Sequence, residues 1–512
     1  MFTVSDAVRH YGQDHPEAIA LIFEDRRTRF ADLDTRADRV AAAILAAGVP
    51  KGGRIAYLGK NSDVFFEIVL GAMRSGTCLV PINWRLAPPE MDYIARDSDV
   101  SLLFAGEDFL DRAGALAARV ICIEGARGAI QGYADWRDAG GDGTALPPID
   151  PEASFLQFYT SGTTGHPKGV ITTNARYAAH LARFATLDKP WIRGTGIGDV
   201  ILVPMPNYHL SGGGTGLEAL FFGSTVVVQR EFSPAGWLDA IAQYKVNRAF
   251  LVPAALRLVL DDPRLPGLDV SSLNYVSYGA SPIQPEVLSQ ALELLGCQFV
   301  HLYGMTECMA SITALDPHEH TLDFGPRMKS VGLPLPEMEI RIVDADGKEQ
   351  PVGETGEIQL RAPFTMVGYW NRPDASAEAY AEDGWMRTGD AGYKDADGYL
   401  YIRDRVRDMI ISGGENVYPV EVENAVTSHP AVEEAAVIGI PDARWGEAVA
   451  AIVVPRAGET IDADALIAWT RERIARYKCP RSVHVVEELP RNASGKVLRR
   501  TLREAFWTAD QR

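Results

Sequence analysis

A cluster of glycine and hydroxyl residues between positions 159 and 169 has the composition of a phosphate-binding loop. The segment reads Tyr159-Thr-Ser-Gly-Thr-Thr-Gly-His-Pro-Lys-Gly169 and lies between a strand-like run at 154–159 and a helix-like run. Its backbone N–H groups and threonine hydroxyls can surround a phosphate chain, while Lys168 adds positive charge. It is not the common P-loop, because Gly169 stands where G-x-x-x-x-G-K-[ST] requires Ser or Thr. We therefore predict a phosphate site of a different kind, with a flexible surface loop as the alternative.

The segments around this loop predict an α/β fold with largely parallel sheets. Apolar residues at helical spacing over 34–47 are followed by strand-like runs at 54–58 and 78–82, and Asn61 and Ser62 stand where they could cap the intervening helix. This β-α-β repetition implies sheets with helices on their faces. The same rhythm predicts strands at 225–228, 248–252, 275–278 and 298–302, with helices at 234–244 and 285–295. The glycine clusters at 194–198 and 212–216 do not fit G-x-G-x-x-G and are interpreted as loops.

The pattern changes in the last third of the chain. Short alternating strands with Gly and Asp turns over 339–403 predict a small antiparallel β unit. A compact α+β pattern follows, with helices at 419–428 and 461–473 and strands at 432–440 and 448–454. We therefore predict a large N-terminal domain over 1–403, with mixed and parallel sheets, flanking helices and the small β unit. A boundary at 404–408 separates it from a small α+β C-terminal domain over 409–512.

Composition limits the classes of partner. The 50 basic and 68 acidic residues give a formal charge of -18, which argues against nucleic acid as the general partner. The five cysteines lie far apart without C-x-x-C spacing, so we expect neither a disulfide framework nor a zinc site, and a reducing cytoplasm. The longest strongly apolar stretch, 40–49, is half of the roughly 20 residues that a membrane span needs. We predict no integral membrane segment and no export signal.

Positive charge is concentrated near the C-terminus of this acidic chain. Between Arg471 and Arg503 there are ten basic and three acidic residues. A solvated helix face with a basic tail is one interpretation. The other is a surface that binds a small polyanion.

Further motifs follow the glycine-rich loop along the chain, and together they resemble the adenylate-forming (ANL) superfamily. This superfamily includes acyl-CoA synthetases, the adenylation domains of peptide synthetases, and beetle luciferase. The resemblance covers nearly the whole length and implies the two-domain ANL fold. The segments that carry it are Pro206-Asn-Tyr-His209, Tyr278-Gly-Ala-Ser-Pro282, Tyr303-Gly-Met-Thr-Glu307, Gly353-Glu-Thr-Gly-Glu357, Trp385-Met-Arg-Thr-Gly-Asp390, Asp404-Arg-Val-Arg-Asp408, Ser412-Gly-Gly-Glu-Asn-Val-Tyr-Pro419 and Asn492-Ala-Ser-Gly-Lys-Val497.

The resemblance implies a first half-reaction in which a carboxylate attacks the α-phosphate of ATP. A carboxylate is a poor electrophile, and joining it to AMP supplies a good leaving group. Because ATP and the acid repel each other, Mg²⁺ and cationic side chains must screen their charges. By resemblance Thr306 contacts the α-phosphate, and Glu307 and Thr164 bind Mg²⁺. The residues that hold the β- and γ-phosphates are Thr160, Ser161, Gly162, Thr163, Thr164, Gly165 and Lys168.

Other motifs are expected to bind the nucleoside. The resemblance places the backbone of Gly279, Ala280 and Ser281 and the ring of Tyr303 around the adenine, since an aromatic face stacks on a base. The two carboxylate oxygens of Asp390 suit the ribose hydroxyls, with Arg405 assisting near the ribose and phosphate. The alternative is an ordinary surface carboxylate for Glu307 and a turn carboxylate for Asp390.

The C-terminal motifs imply two states of the small domain. Lys496 matches the family's lysine that bridges the carboxylate and the α-phosphate, and a compact ammonium can neutralise charge in a closed site. A solvated lysine of the basic tail is the alternative. For thioester formation the domain rotates about a hinge at 404–408, where Arg407 occupies a position that is usually Lys or Asp. Gly413 and Gly414 then line the pantetheine path, because residues without a Cβ allow close approach. The basic stretch 471–503 is a plausible dock for the CoA phosphates.

The acyl pocket of the family lies near the residues after His209 and around 278–282 and 304–311. These positions are mostly small or apolar, which suits an alkyl chain or a ring and supplies no cation for a second carboxylate. The glycine run at 212–216 either makes room for a bulky acid or forms a mobile loop. His209 either gates the acyl entrance or caps a turn. The residues concerned are His209, Leu210, Leu217, Tyr278, Met305, Met309 and Ala310.

These motifs predict an enzyme that uses ATP, Mg²⁺ and coenzyme A. The preferred function is an AMP-forming acid:CoA ligase for a medium- or long-chain fatty acid. An aryl or hydroxycinnamate-type acid is the nearest rival. The other function class is a stand-alone adenylation enzyme that charges a carrier protein. A homodimer is an expectation of the resemblance.

Overall fold

The computed structural model describes two compact units of the chain. It covers residues 2–507 apart from positions 118, 142, 144–145, 161–166, 188, 190, 192–195, 282, 322–324, 406–407, 413–414, 443–444 and 492–496. The N-terminal unit comprises Met1–Glu339 and Arg361–Met386, and the C-terminal unit comprises Ile340–Leu360 and Arg387–Arg512. Within the described residues, every helix is too short or too polar to cross a lipid bilayer.

The strands of the described residues are numbered in chain order. They are β1 Ile19–Phe23, β2 Arg26–Arg29, β3 Arg54–Leu58, β4 Cys78–Ile82, β5 Val100–Ala105, β6 Val120–Cys122, β7 Gln131–Gly132, β8 Tyr159–Thr160, β9 Lys168–Ile171, β10 Val200–Val203, β11 Thr225–Val228, β12 Arg248–Leu251, β13 Tyr275–Gly279, β14 Gln298–Met305, β15 Ala310–Leu315, β16 Leu333–Pro334, β17 Glu339–Val343, β18 Gly356–Arg361, β19 Gly368–Tyr369, β20 Met386–Lys394, β21 Leu400–Arg405, β22 Ile410–Ser412, β23 Glu415–Val417, β24 Val432–Asp442, β25 Gly446–Pro455 and β26 Ser482–Val485.

The α-helices of the described residues are numbered in the same way. They are α1 Val4–Asp14, α2 Phe30–Ala46, α3 Val64–Ser75, α4 Pro88–Asp97, α5 Leu110–Leu116, α6 Tyr133–Asp138, α7 Asn174–Ala185, α8 Thr215–Phe221, α9 Pro234–Tyr244, α10 Pro253–Leu260, α11 Pro285–Leu295, α12 Pro373–Glu378, α13 Pro419–Thr427, α14 Ala463–Arg471 and α15 Arg499–Glu504.

Two large sheets form the framework of the N-terminal unit. In the described residues the larger has the order β16-β15-β14-β13-β12-β10-β11-β1-β2, and the smaller has the order β4-β3-β5-β6-β7. Of the strands described, six neighbours in the larger sheet run parallel, namely β14, β13, β12, β10, β11 and β1. At its ends β2, β15 and β16 are added antiparallel. The smaller sheet is parallel throughout. The prediction of an α/β fold with largely parallel sheets is therefore confirmed.

Helices cover both faces of the larger sheet. On one face α1, α2 and α3 share a core with both sheets, to which Phe65 and Phe66 contribute fully buried rings. On the other face α9, α10 and α11 pack against the sheet through residues such as Trp237, Leu256 and Leu288. Parallel strands buried on both faces read as continuous apolar runs, and this is why their positions could be predicted.

The C-terminal unit is built from two further sheets. One has the order β17-β18-β20-β21, in which β20 and β21 are antiparallel, as the sequence predicts for the small β unit. The other joins β23, β22, β25 and β24, with β26 added parallel to β25. Val422 and Val426 of α13 and Leu466 of α14 form a core with this second sheet. The hinge and domain bounds around 404–408 remain predictions.

Three local predictions are wrong. The glycines at 212–216 do not form a loop, because Leu210–Gly214 form a turn of π-helix that continues into α8. A strand and not a helix follows the glycine-rich loop: β9 begins at Lys168 and pairs antiparallel with β8. The third, that Asn61 and Ser62 cap α3, is wrong for Asn61 only. The Asn61 amide donates to the Met205 carbonyl, whereas Ser62 Oγ accepts the Val64 N–H together with Asp63 Oδ1, as predicted for Ser62.

Candidate functional site

A three-stranded antiparallel sheet, β19-β9-β8, carries the base of the glycine-rich loop. Thr160 and Lys168 are direct partners across the β8–β9 pair, so their backbones bracket the loop. The predicted phosphate ligands Ser161, Gly162, Thr163, Thr164 and Gly165 lie outside the described residues. The register therefore fixes the two ends of the predicted phosphate site.

Glu307 lies beside this sheet, as the phosphate and metal predictions require. It is in a turn of 3₁₀-helix that follows β14 directly. Its Oε1 atom accepts a hydrogen bond from the Tyr369 hydroxyl at 2.9 Å and a longer one from Thr160 Oγ1 at 3.5 Å. The Met366 N–H donates to the Glu307 carbonyl at 2.7 Å and fixes the turn. Residues far apart in sequence thus meet at one carboxylate.

Lys168 and Thr306 complete the described part of this cluster. The ammonium of Lys168 lies 5.0 Å from the centre of the Tyr369 ring, within the range of a cation–π interaction. Thr306 is half-buried and directly precedes Glu307. Tyr369 was not predicted from sequence. Its segment Gly368-Tyr-Trp370 offers only an aromatic pair at the end of an apolar run as a signal.

The predicted adenine residues lie at the carboxyl ends of neighbouring strands. Gly279 ends β13 and pairs with Leu302 of β14, one residue before Tyr303. A Cβ on Gly279 would come within 2.2 Å of the Leu302 carbonyl oxygen, so the strand pairing itself requires glycine. Ala280 has a φ of 67°, and Ala280 and Ser281 are exposed. Crevices at the carboxyl ends of parallel strands are the usual ligand sites of open α/β sheets.

His209 ends the predicted acyl-entrance motif at the start of the π-helical turn. Within the described residues its side chain makes no capping hydrogen bond and its Nε2 atom has no partner. Burial, followed by the positive charge of Arg85, lowers its pKa to about 4, so the ring is neutral near pH 7. His209 is nevertheless the N-cap residue of this turn through its main-chain carbonyl, which accepts from the N–H groups of Gly212 and Gly213 at 3.0 and 2.9 Å, and the gating role of its side chain remains a prediction.

Several predicted pocket residues belong to the core instead. Tyr278 is fully buried, with its hydroxyl 3.1 Å from His320 Nε2. Leu217 and Met309 are also buried in the core beside α3. The prediction that these side chains line an acyl pocket is wrong for Tyr278, whose contacts are all internal. The side chain of Ala310 lies outside the described residues.

The glycine run serves close packing. Added Cβ atoms would come within 2.2 Å of the Pro206 carbonyl oxygen at Gly212 and within 2.3 Å of the Phe66 ring at Gly216. The small residues therefore let the π-helical turn and α8 approach the neighbouring backbone and α3. Neither a mobile loop nor space for a bulky acid is needed to explain them.

The predicted ribose residues meet in the C-terminal unit. Asp390 and Arg405 are direct partners across the antiparallel pair of β20 and β21. The Thr388 hydroxyl accepts from the Asp390 N–H at 3.1 Å and donates to the Ile358 carbonyl. These two hydrogen bonds fix the backbone of β20 next to Asp390. Lys496, Arg407, Gly413 and Gly414 lie outside the described residues.

Part of the basic C-terminal stretch is neutralised locally. Arg499 donates to both oxygens of Glu423 at 2.8 and 2.9 Å, and Arg503 donates to Asp408 at 3.2 Å. Lys478 is held by Glu421 at 2.7 Å. These ion pairs reduce the positive charge that could face a polyanion, and docking of the CoA phosphates on this stretch remains a prediction.

The oxygen atoms around Glu307 fit a hard divalent cation. Mg²⁺ is usually held by one or two carboxylates together with substrate phosphates and waters. Glu307 supplies a carboxylate and Thr160 a hydroxyl, and in the described part of the chain no group of three His, Cys, Asp or Glu residues could form an all-protein metal site. The donors present suit a metal bound mainly by the nucleotide.

Comparison with known proteins identifies the family. The model of the AMP-binding enzyme family matches residues 8–370, and that of the AMP-binding enzyme C-terminal domain matches residues 421–496. The chain belongs to the adenylate-forming superfamily of AMP-binding enzymes. The resemblance inferred from the motifs is thereby confirmed, as are the ANL fold class and the expectation of an enzyme.

Named relatives of this AMP-binding enzyme match over almost their full length. The fatty acid–[acyl-carrier-protein] ligase ScoC of Streptomyces coeruleorubidus is 38% identical over 99% of this chain and 96% of its own. A feruloyl-CoA synthase of an Amycolatopsis species is 37% identical over 96% of each. The o-succinylbenzoate CoA synthetase of Bacillus subtilis, solved with its acyl-adenylate intermediate, is 32% identical, with a TM-score of 0.85 and 97% of each chain covered.

Proposed function

We propose that this AMP-binding enzyme is an ATP-dependent acid:thiol ligase that forms an acyl-AMP and then a thioester. The observation that carries the proposal is the Glu307 carboxylate, which Tyr369 and Thr160 hold at the base of the glycine-rich loop. Relatives named as acid–CoA and acid–carrier-protein ligases support it. We infer that the preferred acid is a medium- or long-chain fatty acid and the preferred thiol is CoA.

In the first half-reaction a substrate carboxylate oxygen attacks the α-phosphorus of ATP. The new O–P bond replaces the bond to the bridging oxygen, and pyrophosphate leaves. Thr160, Lys168 and the loop residues 161–165 hold the β- and γ-phosphates, and Thr306 contacts the α-phosphate. Glu307 and Thr164 would hold Mg²⁺, which supplies charge screening when bound. Lys496 bridges the carboxylate and the α-phosphate.

In the second half-reaction a thiolate sulfur attacks the carbonyl carbon of the acyl-AMP. The C–S bond forms, the bond from carbon to the AMP oxygen breaks, and the thiol proton passes to solvent. We assign the pantetheine path to Gly413 and Gly414 and the hinge to Arg407. Gly279, Ala280, Ser281 and Tyr303 flank the adenine, and Asp390 with Arg405 receives the ribose.

Two alternatives concern the substrates of the same chemistry. The similarity to a feruloyl-CoA synthase favours an aryl acid as the rival acid, and the similarity to ScoC favours a carrier protein as the rival thiol. Incubation with ATP, Mg²⁺ and octanoate, palmitate or ferulate, with either CoA or a phosphopantetheinylated carrier protein, distinguishes these pairs. Mass spectrometry reads the thioester. If no acid yields AMP, the proposed function is wrong.

Lys496→Ala separates the two half-reactions. We expect acid-dependent exchange of pyrophosphate into ATP to fall by at least about 100-fold, because one preorganised donor to transition-state charge is typically worth that much. Conversion of added acyl-AMP to thioester stays within about twofold of the wild type. Arg500→Ala, which removes an exposed basic residue of the same segment, is the control and retains both activities. Exchange near the wild-type rate in Lys496→Ala would exclude the bridging role.

A further inference from the structure

A buried carboxylate lies behind the sheet that holds Glu307. Asp97 ends α4, and its side chain is 7% exposed. Its Oδ2 atom accepts from the Tyr159 hydroxyl at 2.7 Å, and its Oδ1 atom accepts from Arg372 Nη2 at 3.0 Å. The main-chain carbonyl oxygen of Asp97 accepts from the indole N–H of Trp370 at 2.9 Å. One residue therefore anchors segments from two different strands.

These anchored residues are the immediate neighbours of the two that contact Glu307. Tyr159 precedes Thr160 in β8, and Trp370 follows Tyr369 at the end of β19. The main-chain N–H of Trp370 donates to the Gly169 carbonyl at 2.8 Å, so the pairing of this segment with β9 continues one residue past the end of β19. Successive side chains of a strand point to opposite faces. Thr160 and Tyr369 thus face Glu307, while their neighbours face Asp97.

A second set of contacts closes the same face. The Arg54 guanidinium stacks 3.3 Å from the centre of the Trp370 ring and donates to Gln157 Oε1 at 3.4 Å. Gln157 Nε2 in turn donates to the Tyr159 hydroxyl oxygen at 3.2 Å. Burial and the nearby Asp97 carboxylate raise the pKa of Tyr159, which keeps its hydroxyl a donor. The two strand ends are therefore connected to each other as well as to α4.

We propose that Asp97 is a positioning residue for the ATP half-reaction, which holds Thr160 and Tyr369 in place from the opposite face of the β19-β9-β8 sheet. This inference rests on the proposed function. Asp97 does not touch the reacting atoms. Its side chain acts through the Tyr159 hydroxyl on Thr160, and its main-chain carbonyl acts through the Trp370 indole on Tyr369.

Asp97→Asn tests this role against a matched buried carboxylate. Partners that orient a metal-binding group are typically worth 10- to 100-fold in affinity or activity. We expect acid-dependent ATP–pyrophosphate exchange to lose about tenfold in kcat/KM for ATP. Conversion of added acyl-AMP to thioester, per folded molecule, stays within about twofold.

Glu67→Gln is the control. Glu67 is equally buried and accepts from the Tyr133 hydroxyl at 2.9 Å and from Arg137 at 3.0 Å, within the core beside α3. We expect it to lower stability while leaving the ratio of the two half-reactions unchanged. If Asp97→Asn does not fold, Tyr159→Phe removes only one hydroxyl and must shift the same ratio.

The outcomes separate the inference from the proposed function. An active wild type with equal ratios in Asp97→Asn and Glu67→Gln would overturn the positioning role alone. A wild type without exchange for any acid would overturn the proposed function and this inference with it. A double variant with Tyr159→Phe should lose little more exchange than Tyr159→Phe alone, because the Asp97 side chain reaches Thr160 through the Tyr159 hydroxyl. Independent, multiplicative losses would contradict that route.

Discussion

The Glu307 carboxylate is held by neutral hydroxyl donors. Tyr369 and Thr160 orient its Oε1 atom, and among the described residues Glu307 forms no ion pair. Lys168, the cation assigned to the phosphates, lies over the Tyr369 ring. A carboxylate oriented without being neutralised keeps its full charge for a cation, and this suits the proposed Mg²⁺ role better than a salt bridge would.

Tyr369→Phe removes the shorter of these hydrogen bonds and retains the ring below Lys168. Hydrogen bonds to charged groups are typically worth about 1.5–3 kcal/mol, and 1.4 kcal/mol corresponds to a factor of ten. We expect acid-dependent ATP–pyrophosphate exchange to slow by about tenfold or more. Tyr133→Phe removes a hydroxyl at the same 2.9 Å from Glu67 and should leave exchange per folded molecule unchanged. Unaltered exchange in Tyr369→Phe would show that Glu307 does not depend on this donor.

Motif resemblance predicted part of this cluster and missed the rest for physical reasons. Thr160, Lys168 and Glu307 were predicted, and the structure brings them together. Tyr369 lies 62 residues from Glu307, and its two-residue strand pairs with β9, which lies far earlier in the chain. Tyr278 was assigned to the acyl pocket by motif resemblance, and a motif does not show whether a side chain of a parallel strand, which is buried on both faces, points into the core.

At the level of elements, the glycines of the π-helical turn and α8 are set by packing. Glycine normally weakens a helix by about 1 kcal/mol relative to alanine, which is why the run reads as a loop in sequence. Here the Phe66 ring of α3 occupies the space that a Cβ at Gly216 would need. Close approach between helices therefore outweighs local propensity. By contrast, the helices at 234–244 and 285–295 combine amphipathic spacing with a starting proline and were predicted residue for residue.

Replacing a glycine in a helix with alanine usually stabilises a protein, but we expect Gly216→Ala to destabilise this one. A Cβ 2.3 Å from the Phe66 ring must displace it, and overpacking a core typically costs about 1–3 kcal/mol. We expect the free energy of unfolding in urea to fall by that amount. The penalty should shrink in a Phe66→Leu background, which opens the space.

Gly114→Ala is the matched control for this prediction. Gly114 is exposed in α5, and an added Cβ would meet nothing within 4 Å. We expect it to stabilise the protein by up to about 1 kcal/mol. If Gly216→Ala stabilised to the same degree, the contact with Phe66 would not explain the glycine.

At the level of the whole molecule, the units are defined by contacts that local patterns do not show. Residues 340–360 and 387–403 have the alternating texture of a small β unit, as predicted, and they group with the C-terminal unit. Sequence texture locates such a sheet because its strands are short and locally paired. It does not show which neighbour the sheet packs against, because that depends on residues far away in the chain.

Buried histidines make the stability of the N-terminal unit depend on pH. Burial lowers the pKa of His209, His301 and His320 to about 4, and it also lowers the pKa of His180 well below its ordinary value. Neutral His320 is fully satisfied: its Nδ1–H donates to the Asp316 carbonyl and its Nε2 accepts from the Tyr278 hydroxyl, so a second proton would add a buried charge and remove this acceptor. Burial has the opposite effect on a carboxylic acid, and it raises the pKa of Glu218 to about 7.

The free energy of unfolding should therefore fall as the pH is lowered from 6.5 to 4.5. In this window the histidines are protonated in the unfolded state but neutral in the folded state. Each therefore lowers the free energy of unfolding by up to about 1.4 kcal/mol per pH unit. Glu218 works against them, because the folded form keeps a proton that the unfolded form releases, but it is one group against four. His320→Gln should reduce the slope in urea titrations at successive pH values, whereas His15→Gln, at an exposed position, should not. Stability that rose towards pH 4.5 would mean that the Glu218 carboxyl outweighs the histidines.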